Sequence, residues 1–122
     1  MESTLKRTWA EIDLDALAYN YEVLCRRMGP ASRLMGVVKA DAYGHGAVEV
    51  SRTLEELGAA YLAVSSVDEA RELRGAGIRL PILQLGMTPV EQTDQLLAHQ
   101  VTQAVWSEDA ALAFSRAAEE LG

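Results

Sequence analysis

Cysteine is nearly absent. Cys25 is the single one in 122 residues, so no internal disulfide can form, and a reducing, cytoplasmic setting is the expectation. Histidine is almost as scarce: His45 and His99 lie far apart and, with one cysteine, make no credible metal site. Basic residues are outnumbered, eleven against eighteen acids. The net charge of −7 argues against a broad phosphate-binding face, so no nucleic-acid partner is expected. A small anionic ligand held by local dipoles is compatible with that charge. No apolar run approaches the ~18 residues of a membrane span, and Met1 to Thr8 is polar, without the apolar core of a secretory signal. No membrane partner is therefore expected. Repeats, low-complexity tracts and flexible linkers are also lacking. What is there, 49% hydrophobic and 24% charged residues, suits one small folded domain.

Helical and strand-like patterns alternate along the chain. Leu14, Leu17, Tyr21, Leu24 and Met28 recur at helical spacing, which predicts a helix from Asp13 to Met28 that Gly29-Pro30 ends. Leu34 to Val38 reads as a buried strand. Ala47, Val50, Leu54 and Leu57 mark a second helix closed by Gly58. Tyr61 to Val64 is the next strand, and Ser66 with Glu69 forms a capping box opening a helix that stops near Gly75 or Gly77. Pro81 to Leu85 is a third strand. Thr88-Pro89-Val90-Glu91 then predicts a helix start with threonine as N-cap. Val101 to Trp106 is the fourth strand, and Ser107 caps a last helix bearing Ala111, Phe114, Ala118 and Leu121.

Strand ends near residues 38, 64, 85 and 106 suit repeated strand–helix units and a parallel sheet covered by helices. Four units are too few for a closed barrel, which needs about 200 residues or more. The choice is a small open sheet or the first half of a TIM-type (β/α)8 barrel, whose two edge strands would be bare. Thr8 to Asp13 alternates like a short strand yet precedes the first helix, as if it belonged to another sheet.

The chemistry concentrates in Val37-Val38-Lys39-Ala40-Asp41-Ala42-Tyr43-Gly44-His45-Gly46. Lys39 directly follows the first strand, and parallel α/β folds gather catalytic groups at the carboxyl ends of strands. A partly desolvated lysine there can attack a carbonyl, whereas most lysines are simply solvated. Tyr43 reads equally as a packed loop aromatic, and Leu85 as core. Gly44 and Gly46 suit a tight loop. His45 is more simply a structural hydrogen-bonding group than a general base. Asp41 is more simply a solvated carboxylate, and Trp106 a packing residue. Cys25, inside an amphipathic helix with no histidine nearby, is no candidate nucleophile. His99 is most simply a surface residue near a helix end.

This decapeptide closely resembles the cofactor-lysine signature of bacterial alanine racemases. Trp9-Ala10-Glu11-Ile12-Asp13-Leu14-Asp15-Ala16-Leu17, with Asn20, is similar to the family's N-terminus, and Ile82-Leu83-Gln84-Leu85-Gly86 to its third-strand segment. The resemblance spans essentially the whole chain. It implies the first half of a TIM-type barrel over residues 13–122, about four strand–helix units. Residues 1–12 would be a strand segment that pairs with a β-rich C-terminal domain in full-length relatives. It implies pyridoxal 5'-phosphate held as a Schiff base by Lys39. Lys39 would also be the base on one face of the substrate's α carbon, interconverting L- and D-alanine for cell-wall peptidoglycan. Tyr43 matches the position whose hydroxyl contacts the cofactor phosphate, and Leu85 one near the pocket wall.

The family's remaining barrel and C-terminal domain, with the phosphate cradle, the arginine facing the pyridine nitrogen and the opposite-face tyrosine of the other subunit, lie outside these 122 residues. The isolated chain is therefore expected to be inactive. A homodimer is implied for the full-length form. A complementary chain completing the barrel is another way to supply the rest. Two other readings stand beside the racemase of alanine: a non-catalytic pyridoxal-phosphate-binding barrel protein, and a racemase preferring serine or a broad range of amino acids. The Tyr43-Gly44-His45-Gly46 continuation favours the racemase over the carrier.

Overall fold

A computed structural model describes residues 7–122. Helix α1 (Leu14–Met28) opens at Asp13, whose extended backbone and side-chain oxygen accepting from Ala16 N make the N-cap, and it closes at Gly29 with φ 77°. Strand β1 (Met35–Val37) runs into a one-turn element, α2 (Lys39–Tyr43), followed by α3 (Ala47–Leu57). Strand β2 (Tyr61–Val64) leads through Ser66, which caps Glu69 N, into α4 (Val67–Gly75). Strand β3 (Ile82–Gln84), a 3₁₀ turn at Val90–Gln92, α5 (Thr93–Ala98), β4 (Val101–Gln103) and α6 (Glu108–Leu121) complete the chain.

The four strands lie in the order β1-β2-β3-β4, every pair parallel. Each crossover steps to the next neighbour in one direction. Right-handed crossovers then place every helix on the same side, as in a barrel and unlike a doubly wound sheet, whose order reverses. Burial agrees. Val38, Leu62, Val64 and Ile82 are at most 1% exposed and pack with Val50, Leu54, Ala70 and Leu73. Fully burying each such leucine or isoleucine stabilises by about 1.5–3 kcal/mol. Gly36 lets α3 approach β1 closely, because a Cβ there would force the Leu54 side chain to shift. On the opposite face of β1, Met35 and Val37 stay 41% and 42% exposed.

The strand segment expected over residues 1–12 falls partly outside the described residues; residues 8–12 are in no strand here, and the C-terminal domain expected to pair with them lies outside these 122 residues. Two other expectations change. Thr88 does not cap a helix. Pro89 precedes the 3₁₀ turn, α5 starts only at Thr93, and the Thr88 hydroxyl is engaged by Gln84 and Gln103 instead. The fourth strand stops at Gln103, and Trp106, three residues beyond it, is 74% exposed rather than packed.

Candidate active site

Lys39 stands at the carboxyl end of β1, where Val38 N still donates to Ala63 O of β2 at 2.9 Å. The chain then does something rare for side chains with a Cβ. Ala40, Asp41 and Ala42 take φ 51–55° with ψ 42–48°, and Tyr43 has φ 57°, so α2 is a left-handed turn. Each such residue costs roughly 1–2 kcal/mol, so the surroundings must hold the conformation in place.

They do so from several directions. Ala42 N donates to Val38 O at 3.0 Å, and Gly46 N to Asp41 O at 2.9 Å. The Asp41 carboxylate accepts from Ala47 N at 2.8 Å and thereby caps the start of α3. Asp41 is therefore engaged, not merely solvated. His45 Nδ1 donates to Ala42 O at 3.0 Å, the structural hydrogen bond expected of it. The turn folds Tyr43 back toward the lysine, with Lys39 Nζ 6.0 Å from the Tyr43 ring centroid. Tyr43 itself is 62% exposed.

From α4, the helix that follows β2, comes a further hold. The Glu69 carboxylate accepts from Ala40 N at 2.7 Å through one oxygen, and from Ser65 N and Ser65 Oγ at 2.6 and 2.7 Å through the other. Burial alone would raise its pKa. Donation from Ser65, Ala40 and Ser66 outweighs that and holds the carboxyl below its ordinary value. The sequence signalled Glu69 as part of a capping box, but the residue reaches past its own helix to the strand next door. That contact joins residues 29 apart and has no local signal.

Leu85 follows β3, its N–H donating to Val64 O at 2.8 Å, half-buried. It stands two strands from Lys39, about 10 Å across the sheet at ordinary strand spacing. Lys39, Tyr43 and Leu85 thus share the carboxyl end of the sheet, Lys39 and Tyr43 as close neighbours and Leu85 two strands away. Beneath Leu85, Gln84 Oε1 accepts from Gly86 N at 2.8 Å and Gln84 Nε2 donates to Thr88 Oγ1 at 2.8 Å. Thr88 Oγ1 donates to Gln103 Oε1 at 2.6 Å, and Gln103 Nε2 closes the ring on Gly86 O at 2.8 Å. A Cβ on Gly86 would stand 2.6 Å from Ser65 O, so the loop after β3 presses on the loop after β2. The polar cleft lined by Ser65, Val67, Gln84, Met87, Thr88 and Gln92 does not include Lys39.

The other end of the sheet is purely structural. Arg74 donates to the carbonyls of Ile78, Leu80, His99 and Gln100, and Glu55 accepts from Arg79 N and Leu80 N. Partial burial lowers the Arg74 pKa against the raising influence of Glu55. In barrels the two ends divide in this way, with chemistry at the carboxyl end and stability at the other.

A profile of the alanine racemase N-terminal domain matches residues 12–122. The chain belongs to the alanine racemase family. It is 47% identical over 116 residues to alanine racemase 1 of Clostridium acetobutylicum, covering 95% of this chain and 30% of that protein. It is 44% identical over 119 residues to alanine racemase 1 of Oceanobacillus iheyensis, covering 98% and 32%. The solved alanine racemase of Clostridium difficile 630 superposes with a TM-score of 0.90 at 42% identity, over 98% of this chain and 32% of that one. The same enzyme has been solved in complex with cycloserine. The chain spans about a third of the length of these relatives, and its four units are the opening part of their TIM-type barrel. Among the described residues, no helix is long and apolar enough to cross a membrane, and no group of three or more His, Cys, Asp or Glu could hold a metal ion.

Proposed function

We propose that this chain is the cofactor-lysine end of an alanine racemase, with Lys39 as the residue that carries pyridoxal phosphate and moves the α proton. The observation that carries the reading is the Lys39 amine at the carboxyl end of a barrel-type β1, folded over Tyr43 at 6.0 Å by a left-handed turn. The residues fit the group by their chemistry. A primary amine in no ion pair among the described residues suits an aldehyde, a phenol hydroxyl beside it suits a phosphate, and Leu85 across the sheet suits the flat of a ring. When bound, pyridoxal phosphate supplies a carbonyl for covalent attachment and an electron-withdrawing ring for the electrons of a carbanion.

Lys39 Nζ would hold the cofactor and, when free, would take the α proton on one face or return it there. The left-handed turn and its hydrogen bonds keep that amine at the strand end. Tyr43 would anchor the phosphate through its hydroxyl, and Leu85 would exclude water from one side of the ring. Racemisation needs a second base on the opposite face, and the resemblance assigns it to a partner subunit. The homodimer, the cytoplasmic location and the supply of D-alanine for peptidoglycan belong to the same proposal.

The test is trapping. Pyridoxal phosphate is added to the chain, reduced with borohydride, and the adduct located by peptide mapping. The expected result is one dominant adduct on Lys39 that disappears in Lys39→Ala. An adduct spread over the amines without preference for Lys39 would overturn the assignment.

A further inference from the structure

We propose that Glu69 is a positioning residue for Lys39: its carboxylate ties the backbone that follows the lysine to the loop after β2, and so sets where the lysine amine stands. This rests on the cofactor reading above and adds to it a residue that touches neither cofactor nor substrate.

The geometry is specific. Ala40 is the first residue of the left-handed turn and the one directly after Lys39, and its N–H meets Glu69 Oε2 at 2.7 Å. The second oxygen of Glu69 is occupied twice, by Ser65 N and Ser65 Oγ at 2.6 and 2.7 Å. Both oxygens are therefore committed, one to each of two neighbouring strand ends. An N–H in a left-handed turn at a strand end cannot use the sheet ladder, so it needs an acceptor from elsewhere. A charged acceptor makes the stronger bond, and the donors around Glu69 keep it ionised at neutral pH. The anchor itself is rigid, because Ser66 Oγ caps Glu69 N at 3.1 Å and fixes the first turn of α4.

Simultaneous capture of an aldehyde by Lys39 and a phosphate by Tyr43 requires the amine to be held in one place relative to the phenol. Release of Ala40 N–H would let the turn relax toward ordinary φ and scatter the amine. The chain contains one other lysine, Lys6, which serves as an internal reference.

The experiment uses the full 122-residue chain with pyridoxal phosphate and a short pulse of cyanoborohydride. Mass spectrometry reads the ratio of label on Lys39 to label on Lys6, and hydrogen exchange reads the Ala40 amide. Three variants are compared with the parent. Glu69→Ala removes the acceptor. Glu69→Gln keeps one acceptor oxygen and guards against simple unfolding. Ser66→Ala weakens the same helix without touching Ala40. The expected result is a parent ratio well above one that falls about tenfold in Glu69→Ala, with faster Ala40 exchange, and falls less in Glu69→Gln. Ser66→Ala is expected to lower the melting temperature and leave the ratio intact. An unchanged ratio in Glu69→Ala, or an equal fall in Ser66→Ala, overturns the positioning role while leaving the cofactor reading standing. A parent ratio near one overturns both.

Discussion

Replacing Gln84 by glutamate alters one atom of the ring beneath Leu85 and nothing of its shape. Gln84 is 1% exposed, accepts from Gly86 N and donates to Thr88 Oγ1, whose own proton goes to Gln103. In Gln84→Glu the donor becomes an acceptor. Thr88 has one proton for two acceptors, and turning Gln103 to compensate would forfeit its bond to Gly86 O. A buried carboxylate with one N–H partner has its pKa raised, here by about two units above the ordinary 4.3. The unfolded chain ionises first as pH rises, so the penalty is small in acid and grows until the folded carboxyl also ionises. It comes to about 1 kcal/mol at pH 5 and about 2.5 kcal/mol at pH 7. Urea titrations of parent and variant at both pH values measure it. With a slope of about 1.5 kcal/mol per molar, the midpoint gap should widen by about 1 M between pH 5 and pH 7. The same gap at both pH values, or a cost below about 0.5 kcal/mol at pH 7, would refute the directional ring.

Three further outcomes follow from single contacts. Arg74→Met strands four carbonyls at the amino end of the sheet and, discounted for partial exposure, should cost about 2 kcal/mol, a melting shift of about 8 °C by calorimetry. Ser51 is fully buried with a hydroxyl that finds no partner among the described residues, so Ser51→Ala should stabilise by about 1 kcal/mol in a urea titration; destabilisation would show that the hydroxyl is in fact satisfied. Tyr43→Phe should weaken pyridoxal phosphate binding about tenfold in an absorbance titration and leave binding of phosphate-free pyridoxal unchanged. An equal loss for both would place the tyrosine against the ring.

The alternation of helix and strand was legible because each βα unit carries one apolar helical stripe and one apolar run, buried in the first three units and at most half-buried in the fourth. Ser66 and Ser107 cap the helices their positions suggested, whereas Asp13, expected as the first helical residue, is the N-cap of a helix that starts at Leu14. The site motif was legible as a stretch of sequence. Its conformation was not, because Ala40 and Ala42 carry no preference for positive φ and Asp41 visits it only as a single residue, so contacts from Asp41, His45 and Glu69 must hold the run. Thr88 misled for the opposite reason. Its local signal for a helix start was sound, but the buried Gln84 and the half-buried Gln103, from neighbouring strands, claimed the hydroxyl first. Long-range hydrogen bonds of this kind leave no trace in spacing or periodicity.

The most direct measurement is turnover in a chimera. Residues 1–122 of this chain would replace the matching third of the Clostridium difficile alanine racemase, to which they are 42% identical. With pyridoxal phosphate bound, the chimera should convert L-alanine to D-alanine, and Lys39→Ala should lower the rate at least about a thousandfold while circular dichroism stays the same. A folded, cofactor-loaded chimera that leaves L-alanine unracemised, or one that loses nothing without the Lys39 amine, would contradict the role given to Lys39.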